Sequence, residues 1–264
     1  MNNRNVEIFK DTLKQSAEKY HITPKNNAVY YNNDNFPIVA IEEGNTPITM
    51  VRGGTVSTGY AEADNMRVAI LNFADALEAG GLVWIGESTQ EENICRCSNL
   101  YQIIGDEQSE KEYYSPNAVE VRKTNRDIYT DNIIYAKDIT VFKDDITYNN
   151  IEPKKLDVIT CPAPSAYMMA YEAMPLYVRR IERIVTSAIV NNVECIVLGA
   201  WGCGAFGQNP MLIARAFATV LNNYGGYFKK IIFAVRPTSD GEESAMYKIF
   251  KDTLTEYYNN EVEE

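Results

Sequence analysis

The chain has a single histidine, His21, among its 264 residues, and no two of its cysteines stand at CxxC spacing. A zinc hydrolase generally needs two or three histidines or a cluster of cysteines. A Ser-His-Asp or Cys-His mechanism would have to use His21, which lies in a polar N-terminal segment. We therefore expect acid–base chemistry to fall to carboxylates or tyrosines, and we predict no metal and no cofactor.

Long apolar runs are also missing. No apolar stretch approaches the roughly 18–20 residues that span a membrane, and the N-terminal segment lacks the apolar core of a signal peptide. The five cysteines are an odd number, which indicates free, buried thiols in a reducing compartment. These features predict a cytoplasmic protein that has no membrane partner.

Basic residues are outnumbered, since 25 Lys and Arg stand against 36 Asp and Glu and the net charge is -11. Phosphate contacts along a duplex need clustered Lys and Arg, so duplex nucleic acid is not an expected partner. A local phosphate site made of backbone N–H groups is compatible with an acidic surface. By charge repulsion, the acidic surface also fits a reader of chain ends better than one that grips a long polyanion.

Apolar periodicity predicts alternating strands and helices. Early in the chain it predicts an amphipathic helix over 4–20, strands over 38–42, 49–52 and 66–73, a helix over 88–105, and a hairpin that turns at Lys137-Asp138. Strands over 156–161, 194–199 and 230–235 then alternate with helices over 174–191, 210–224 and 242–258. This order predicts the α/β class with a mainly parallel sheet, whose ligands bind outside the carboxyl ends of strands.

The first candidate site follows the buried strand over 66–73, where Gly80-Gly81 precedes Gln90-Glu91-Glu92 at the start of a helix. One carboxylate of such a pair can hold a sugar hydroxyl while the other protonates a leaving oxygen. Partial burial and the neighbouring charge would raise the pKa of one of them. The structural alternative is a capping box, because Ser88-x-x-Glu91 and Thr89-x-x-Glu92 both fit that pattern.

Asn72 and Asp75 end the same strand, and each either contacts a ribose hydroxyl or forms an Asx turn or cap. The second candidate site runs from Gly199 to Gly207 and carries four glycines between a strand and a helix. Its backbone N–H groups can face a diphosphate, and Trp201 or Phe206 can pack on a ribose or base. The alternative is a tight turn without a ligand.

Together these motifs resemble the microbial-type poly(ADP-ribose) glycohydrolases, a branch of the macrodomain fold. The resemblance rests on Asn72-Phe73-Ala74, Gly80-Gly81, Gln90-Glu91-Glu92 and the Cys95–Tyr101 helix in family order and spacing. The later stretch Leu198–Gly207 and the strand that ends in Pro162-Ala163-Pro164 also match. The resemblance implies a macrodomain-like three-layer α/β/α sandwich with a mixed, mostly parallel sheet. We expect residues 1–264 to form one such domain, with a helical extension over 1–25.

The family's roles carry over to matching positions. The resemblance implies that Glu92 is the catalytic acid, that Glu91 holds ribose hydroxyls, and that ADP-ribose or an ADP-ribosylated macromolecule is the partner. The reaction implied is hydrolysis of ribose O-glycosidic bonds in ADP-ribose polymers or adducts. The predicted substrate-binding residues are Asn72, Asp75, Gly80, Gly81, Gln90, Gly202, Cys203, Gly204, Ala205, Phe206 and Gly207.

Two positions depart from the family pattern within the first loop. Ala79 replaces a proline, and Leu82 replaces the third glycine. Because leucine has a Cβ and prefers negative φ, we expect Leu82 to redirect the loop or to fill space near the distal ribose. The alternative function is therefore a non-catalytic ADP-ribose reader in which Leu82 blocks turnover.

Overall fold

The computed structural model describes residues 3–44 and 46–263. Residues 1, 2 and 264, which bound the predicted domain, lie outside the described residues. The helices are α1 (Asn3–Lys19), α2 (Pro24–Asn27), α3 (Thr55–Glu62), α4 (Gln90–Cys97), α5 (Tyr101–Ile104), α6 (Glu107–Ser109), α7 (Ser115–Thr124), α8 (Ala170–Val190), α9 (Pro210–Tyr224) and α10 (Ala245–Tyr257). The strands are β1 (Ala28–Tyr31), β2 (Ile48–Arg52), β3 (Val68–Phe73), β4 (Ile133–Lys143), β5 (Asn150–Cys161), β6 (Cys195–Leu198), β7 (Lys230–Val235) and β8 (Val262–Glu263).

These elements form two compact units. The first unit holds the chain up to residue 35 together with residues 72–163, and the second holds residues 36–71 and the chain from 164 onward. The boundary falls inside β3. Residues 68–71 of that strand belong to the second unit, whereas Asn72 and Phe73 begin the first.

The first unit contains three antiparallel strands in the order β1–β4–β5. The predicted hairpin at Lys137-Asp138 is wrong, because β4 runs through both residues and only bulges between Ala136 and Ile139. Asp138 takes a left-handed φ of 56° and donates its N–H to Asp157 Oδ1 at 3.0 Å. The turn signal in the sequence therefore marks a bulge that a buried aspartate stabilises.

The N-terminal helix is confirmed, but its predicted buried face is partly wrong. Val6 and Phe9 are buried as expected, whereas Ala17 is exposed and Thr12 is buried. Thr12 is satisfied there because its hydroxyl contacts the Arg96 carbonyl oxygen at 2.7 Å. Packing against α4 therefore selects a more polar face than hydrophobicity alone predicts.

The helix predicted over 88–105 is interrupted between α4 and α5. Ser98 adopts an extended conformation and forms an antiparallel bridge with Val141 of β4. Asn99 follows, and its side-chain Oδ1 accepts the Thr140 N–H at 2.8 Å. Polar side chains that bond to backbone groups elsewhere thus end the helix after Cys97.

The second unit contains five parallel strands in the order β3–β6–β7–β2–β8. Helix α9 packs against α8 and α10, and in the core of this unit the Phe233 ring contacts the rings of Phe217 and Phe250. The bounds predicted for α9 and β7 are confirmed. The strand predicted over 38–42 is wrong, since that segment has no strand and Ile38 is fully exposed.

Strand pairing is therefore mixed and mostly parallel, which confirms the predicted α/β class. Four of the predicted thiols, Cys95, Cys97, Cys161 and Cys195, are free and buried, and Cys203 is free and half-buried. In the part of the chain that the structure describes, no helix is both long enough and apolar enough to cross a membrane.

Candidate active site

The start of α4 presents three consecutive side chains that each accept a backbone N–H from the segment before the helix. Gln90 Oε1 accepts the Phe73 N–H at 2.8 Å. Glu91 Oε2 accepts the Asp75 N–H at 2.7 Å, and Glu92 Oε1 accepts the Leu82 N–H at 3.0 Å. The Gln-Glu-Glu motif therefore fixes the path of the chain from the end of β3 to the Gly80-Gly81 turn.

Glu91 is almost completely buried, with 2% of its surface exposed. Its second oxygen, Oε1, accepts a hydrogen bond of 3.0 Å from Asn72 Nδ2. Burial raises the pKa of Glu91 to about 8, although the bonds from Asp75 and Asn72 favour the ionised form and oppose that rise. A carboxyl group with such a pKa holds a proton through much of the neutral range.

Glu92 is equally buried, with 3% exposure. Its second oxygen contacts the hydroxyl of Thr89, the N-cap residue of α4. The capping-box alternative is wrong for both glutamates. The Thr89 side chain caps no backbone N–H, and both carboxylates bond to the preceding segment instead.

The Gly80-Gly81 turn lies against these acids and depends on the absence of side chains. Both glycines have left-handed φ values, 72° and 56°. A Cβ at Gly81 would lie 2.6 Å from Glu92 Oε1 and 3.5 Å from Glu91 Oε2, so both carboxyl groups adjoin one glycine. A Cβ at Gly80 would lie 3.1 Å from the Tyr101 ring. The backbone therefore approaches the acid pair closely because only glycine fits.

Leu82 does not strain this turn. Its φ is −96°, a value that any L-residue adopts, while the two glycines take the left-handed conformations. Its N–H holds Glu92, and its side chain is half-exposed. The loss of the family's third glycine is therefore compatible with an ordered loop.

Aromatic residues support the loop from the other side. The Trp84 indole N–H donates to the Tyr101 hydroxyl at 2.9 Å. The Phe9 ring from α1 makes T-shaped contacts with both rings, with centroid distances of 4.9 and 5.1 Å. The N-terminal helix thus contributes directly to the shape of the first candidate site.

The side chains of Asn72 and Asp75 both form hydrogen bonds within the protein. Asn72 is fully buried at the end of β3 and bonds to Glu91. One oxygen of Asp75, Oδ1, accepts the N–H groups of Leu77 and Glu78 at 2.7 and 3.0 Å, which is the Asx-turn alternative. A ribose contact of either residue stays a prediction.

The second candidate site belongs to the second unit and follows β6. Gly202 and Gly207 take left-handed φ values of 75° and 64°. The N–H groups of Cys203, Gly207 and Gln208 bond within the loop. Among the described residues, the N–H groups of Gly204 and Ala205 donate to no backbone carbonyl oxygen of the loop. The loop thus keeps backbone donors that an anion can use, and its role in diphosphate binding stays a prediction.

Two features of the structure narrow the expectations for this loop. Trp201 is fully buried, so of the two aromatic residues only the half-buried Phe206 is placed to meet a ligand. The first N–H groups of α9 bond to the side chain of their own N-cap, Asn209, at 3.0 and 3.3 Å. Donors to a phosphate would therefore come from the loop rather than from the helix start.

Cys203 and Gln208 complete the description of the loop. Burial raises the pKa of Cys203 to about 12, which leaves a neutral thiol that is a poor nucleophile. The Gln208 side chain accepts from the Tyr177 hydroxyl and donates to the Phe206 carbonyl oxygen at 3.1 Å. Through Tyr177, helix α8 therefore anchors the C-terminal end of the glycine loop.

Pattern reasoning missed Thr160 and the Leu82 N–H, and it missed the bond of Thr89 to Glu92; all three contact residues of the first site. Thr89 was visible in the sequence as a helix N-cap. Nothing in the sequence marks Thr160, which lies 88 positions after its partner Asn72.

A family model described as the microbial-type PARG catalytic domain matches residues 3–144, and no curated protein gives a significant match. The family match contains the first candidate site but stops before the glycine loop.

Among solved structures, poly(ADP-ribose) glycohydrolase from Thermomonospora curvata is 23% identical, with a TM-score of 0.81 over 96% of this chain and 100% of that chain. The same enzyme bound to the inhibitor ADP-HPD is 25% identical, with a TM-score of 0.79 over 94% and 98% of the two chains. A mutant of poly(ADP-ribose) glycohydrolase from Deinococcus radiodurans, in complex with ADP-ribose, is 26% identical, with a TM-score of 0.76 over 88% of this chain and 96% of that chain. These likenesses confirm the predicted macrodomain-like fold.

Proposed function

We propose the following reaction for this chain, which belongs to the family of microbial-type poly(ADP-ribose) glycohydrolase catalytic domains: it hydrolyses ribose O-glycosidic bonds of ADP-ribose polymers or adducts, with Glu92 as the general acid. Family membership confirms the predicted class of enzyme, a glycohydrolase. The proposal concerns the bond that is cleaved and the residues that cleave it.

In this reaction Glu92 gives its proton to the leaving oxygen while the bond from that oxygen to C1″ of the ribose breaks. The diphosphate stabilises the developing oxocarbenium ion, and water then attacks C1″ and gives a proton to the Glu92 carboxylate, which restores the acid. Glu91 holds ribose hydroxyls. The products are ADP-ribose and an acceptor that ends in a hydroxyl group.

The observation that supports this assignment is the position of the two acids. Glu91 and Glu92 are both buried, both adjoin Gly81, and each oxygen has a defined donor. Two buried carboxyl groups at one glycine carry an electrostatic cost that a catalytic role explains.

We propose that Gly202–Gly207 binds the diphosphate and that Phe206 packs on the distal ribose. The backbone donors of Gly204 and Ala205 support this role, as does the open space beside Gly204. ADP-ribose is the expected ligand because the Deinococcus radiodurans relative was crystallised with it.

Hydrolysis by a Glu92→Gln variant tests the acid assignment. Glutamine keeps both contacts of Glu92, because its Oε1 can accept the Leu82 N–H and its amide can donate to Thr89. The variant should therefore fold normally and lose about 100- to 10,000-fold in rate, the usual contribution of a general acid. Glu78→Gln, at an exposed position of the same loop, is the matched control and should keep full activity.

The rate is measured as release of ADP-ribose from polymer and from a mono-ADP-ribosylated peptide. Equal rates for wild type and the Glu92 variant on both substrates would reject the assignment. The alternative, an ADP-ribose reader, is favoured only by the half-exposed side chain of Leu82 beside the acid pair. Calorimetry separates the two functions, since a reader binds ADP-ribose but releases none from either substrate.

A further inference from the structure

Glu91 has a second layer of contacts behind it, formed by Asn72 at the end of β3 and Thr160 near the end of β5. Both residues are fully buried. Asn72 Nδ2 donates to Glu91 Oε1 at 3.0 Å and to Thr160 Oγ1 at 3.3 Å. One amide nitrogen therefore joins the threonine hydroxyl to the carboxyl group.

The oxygen of the Asn72 amide shows why the contact between Asn72 and Thr160 is important. Asn72 Oδ1 is buried and has no hydrogen-bond partner among the described residues. The present orientation of the amide is therefore favoured by its two N–H bonds alone. Without the threonine hydroxyl, Nδ2 keeps only its bond to Glu91, so the amide is held less firmly with its NH₂ group toward that carboxyl group.

The orientation of Asn72 decides which protonation state of Glu91 is favoured. An N–H donor stabilises the carboxylate, whereas a carbonyl oxygen in the same place would stabilise the acid. The titratable groups that face Glu91 are Asp75, Glu92, Cys95, Tyr101 and Tyr114. Each of these is neutral or anionic, so none of them stabilises the carboxylate by charge.

We propose that Thr160 is a positioning residue, which holds the Asn72 amide with its NH₂ group toward Glu91 and so keeps part of the Glu91 population ionised near neutral pH. The inference rests on the proposed function, in which Glu91 accepts hydrogen bonds from ribose hydroxyls. An ionised carboxyl group accepts such bonds more strongly than a protonated one. Thr160 itself need not touch the substrate.

The test compares Thr160→Val, which removes the hydroxyl at nearly constant volume, with Thr160→Ser, which keeps it. The readout is the titration of the Glu91 carboxyl carbon by NMR in glutamate-labelled protein without ligand, assigned with Glu91→Gln. Thr160→Val should raise the midpoint by about half a pH unit, which is about a three-fold change in the ionisation constant. Thr160→Ser should stay within a small fraction of that shift.

A second readout is the affinity for ADP-ribose near the midpoint of wild-type Glu91, where the ionised fraction of Thr160→Val is about half that of wild type and binding should be about two-fold weaker. If Thr160→Val does not fold, Thr160→Ala and Asn72→Asp are titrated instead, and both should raise the midpoint. An unchanged midpoint in every folded variant, or an equal shift in Thr160→Ser, would overturn the proposal. Because the titration needs no turnover, its result is independent of the outcome for Glu92→Gln.

Discussion

The acid site of the first unit is built from side chains, whereas the glycine loop of the second unit is built from backbone. At Gly81 an added Cβ would lie 2.6 Å from a Glu92 oxygen, but at Gly204 it would meet nothing within 4 Å. Glycine is therefore required at Gly81 because the protein itself occupies the space. At Gly204 the space is open, and we propose that a diphosphate occupies it.

Because of this contrast, mutations at the two sites should have different effects, one on the stability of the fold and the other on the affinity for ADP-ribose. Changes in the acid site that break the contacts of Glu91 or Glu92 should disturb folding and catalysis together, because these side chains also fix the loop that precedes them. Changes in the glycine loop should weaken binding and leave the free energy of unfolding nearly unchanged. Three experiments test the two halves of the comparison.

Gly81→Ala should have the largest effect. The new Cβ would clash with the Glu92 carboxyl group, and alanine is strained at a φ of 56°. We expect a loss of about 3 kcal/mol in the free energy of unfolding and no measurable hydrolysis. Urea unfolding and an ADP-ribose release assay measure both effects. Wild-type stability together with wild-type rate would mean that the turn does not adjoin the acids.

The pH dependence of stability should show the next largest effect. The pKa of Glu91 is raised to about 8 in the folded chain by burial, so its contribution to stability is fully present below the pKa of the unfolded chain. That contribution is lost as pH rises through the folded value, and the change is on the order of a few kcal/mol. Unfolding free energies between pH 5 and pH 9 should fall more steeply for wild type than for Glu91→Gln, and parallel curves would contradict the account.

Gly204→Ala should have the smallest effect. The added methyl group fits the free protein without a clash, so the melting temperature should stay near the wild-type value. The affinity for ADP-ribose should fall about ten-fold, because the methyl group takes space proposed for the diphosphate. Calorimetry measures the affinity, and an undiminished value would place the diphosphate elsewhere.

The sequence predicted the regular elements of the second unit best. The bounds of α9 and β7 are confirmed, because a continuous apolar strand and an Asn-Pro helix start are local signals. The turn at Lys137-Asp138 was wrong because a distant residue, Asp157, bonds to the Asp138 N–H and keeps the strand continuous. Local turn chemistry cannot reveal a partner that lies far away in the chain.

The candidate site likewise contains residues that a local motif reveals and distant partners that it does not reveal. The motif alone identified Gln90, Glu91 and Glu92. It did not identify their partners, because these are the backbone N–H groups of Phe73, Asp75 and Leu82, which do not depend on the type of side chain. The capping box was a reasonable local alternative, but Glu91 and Glu92 form these longer-range bonds instead. Thr160 was missed because its role depends on the meeting of two strand ends.

The crystal structure of the protein with ADP-ribose tests the central claim most directly. We predict that a Glu92 carboxyl oxygen lies about 3 Å from the hydroxyl oxygen on C1″, the distance at which a proton can pass between them. A complex in which ADP-ribose is fully ordered and another side chain stands at that oxygen, with Glu92 held only by Leu82 and Thr89, would contradict the assignment.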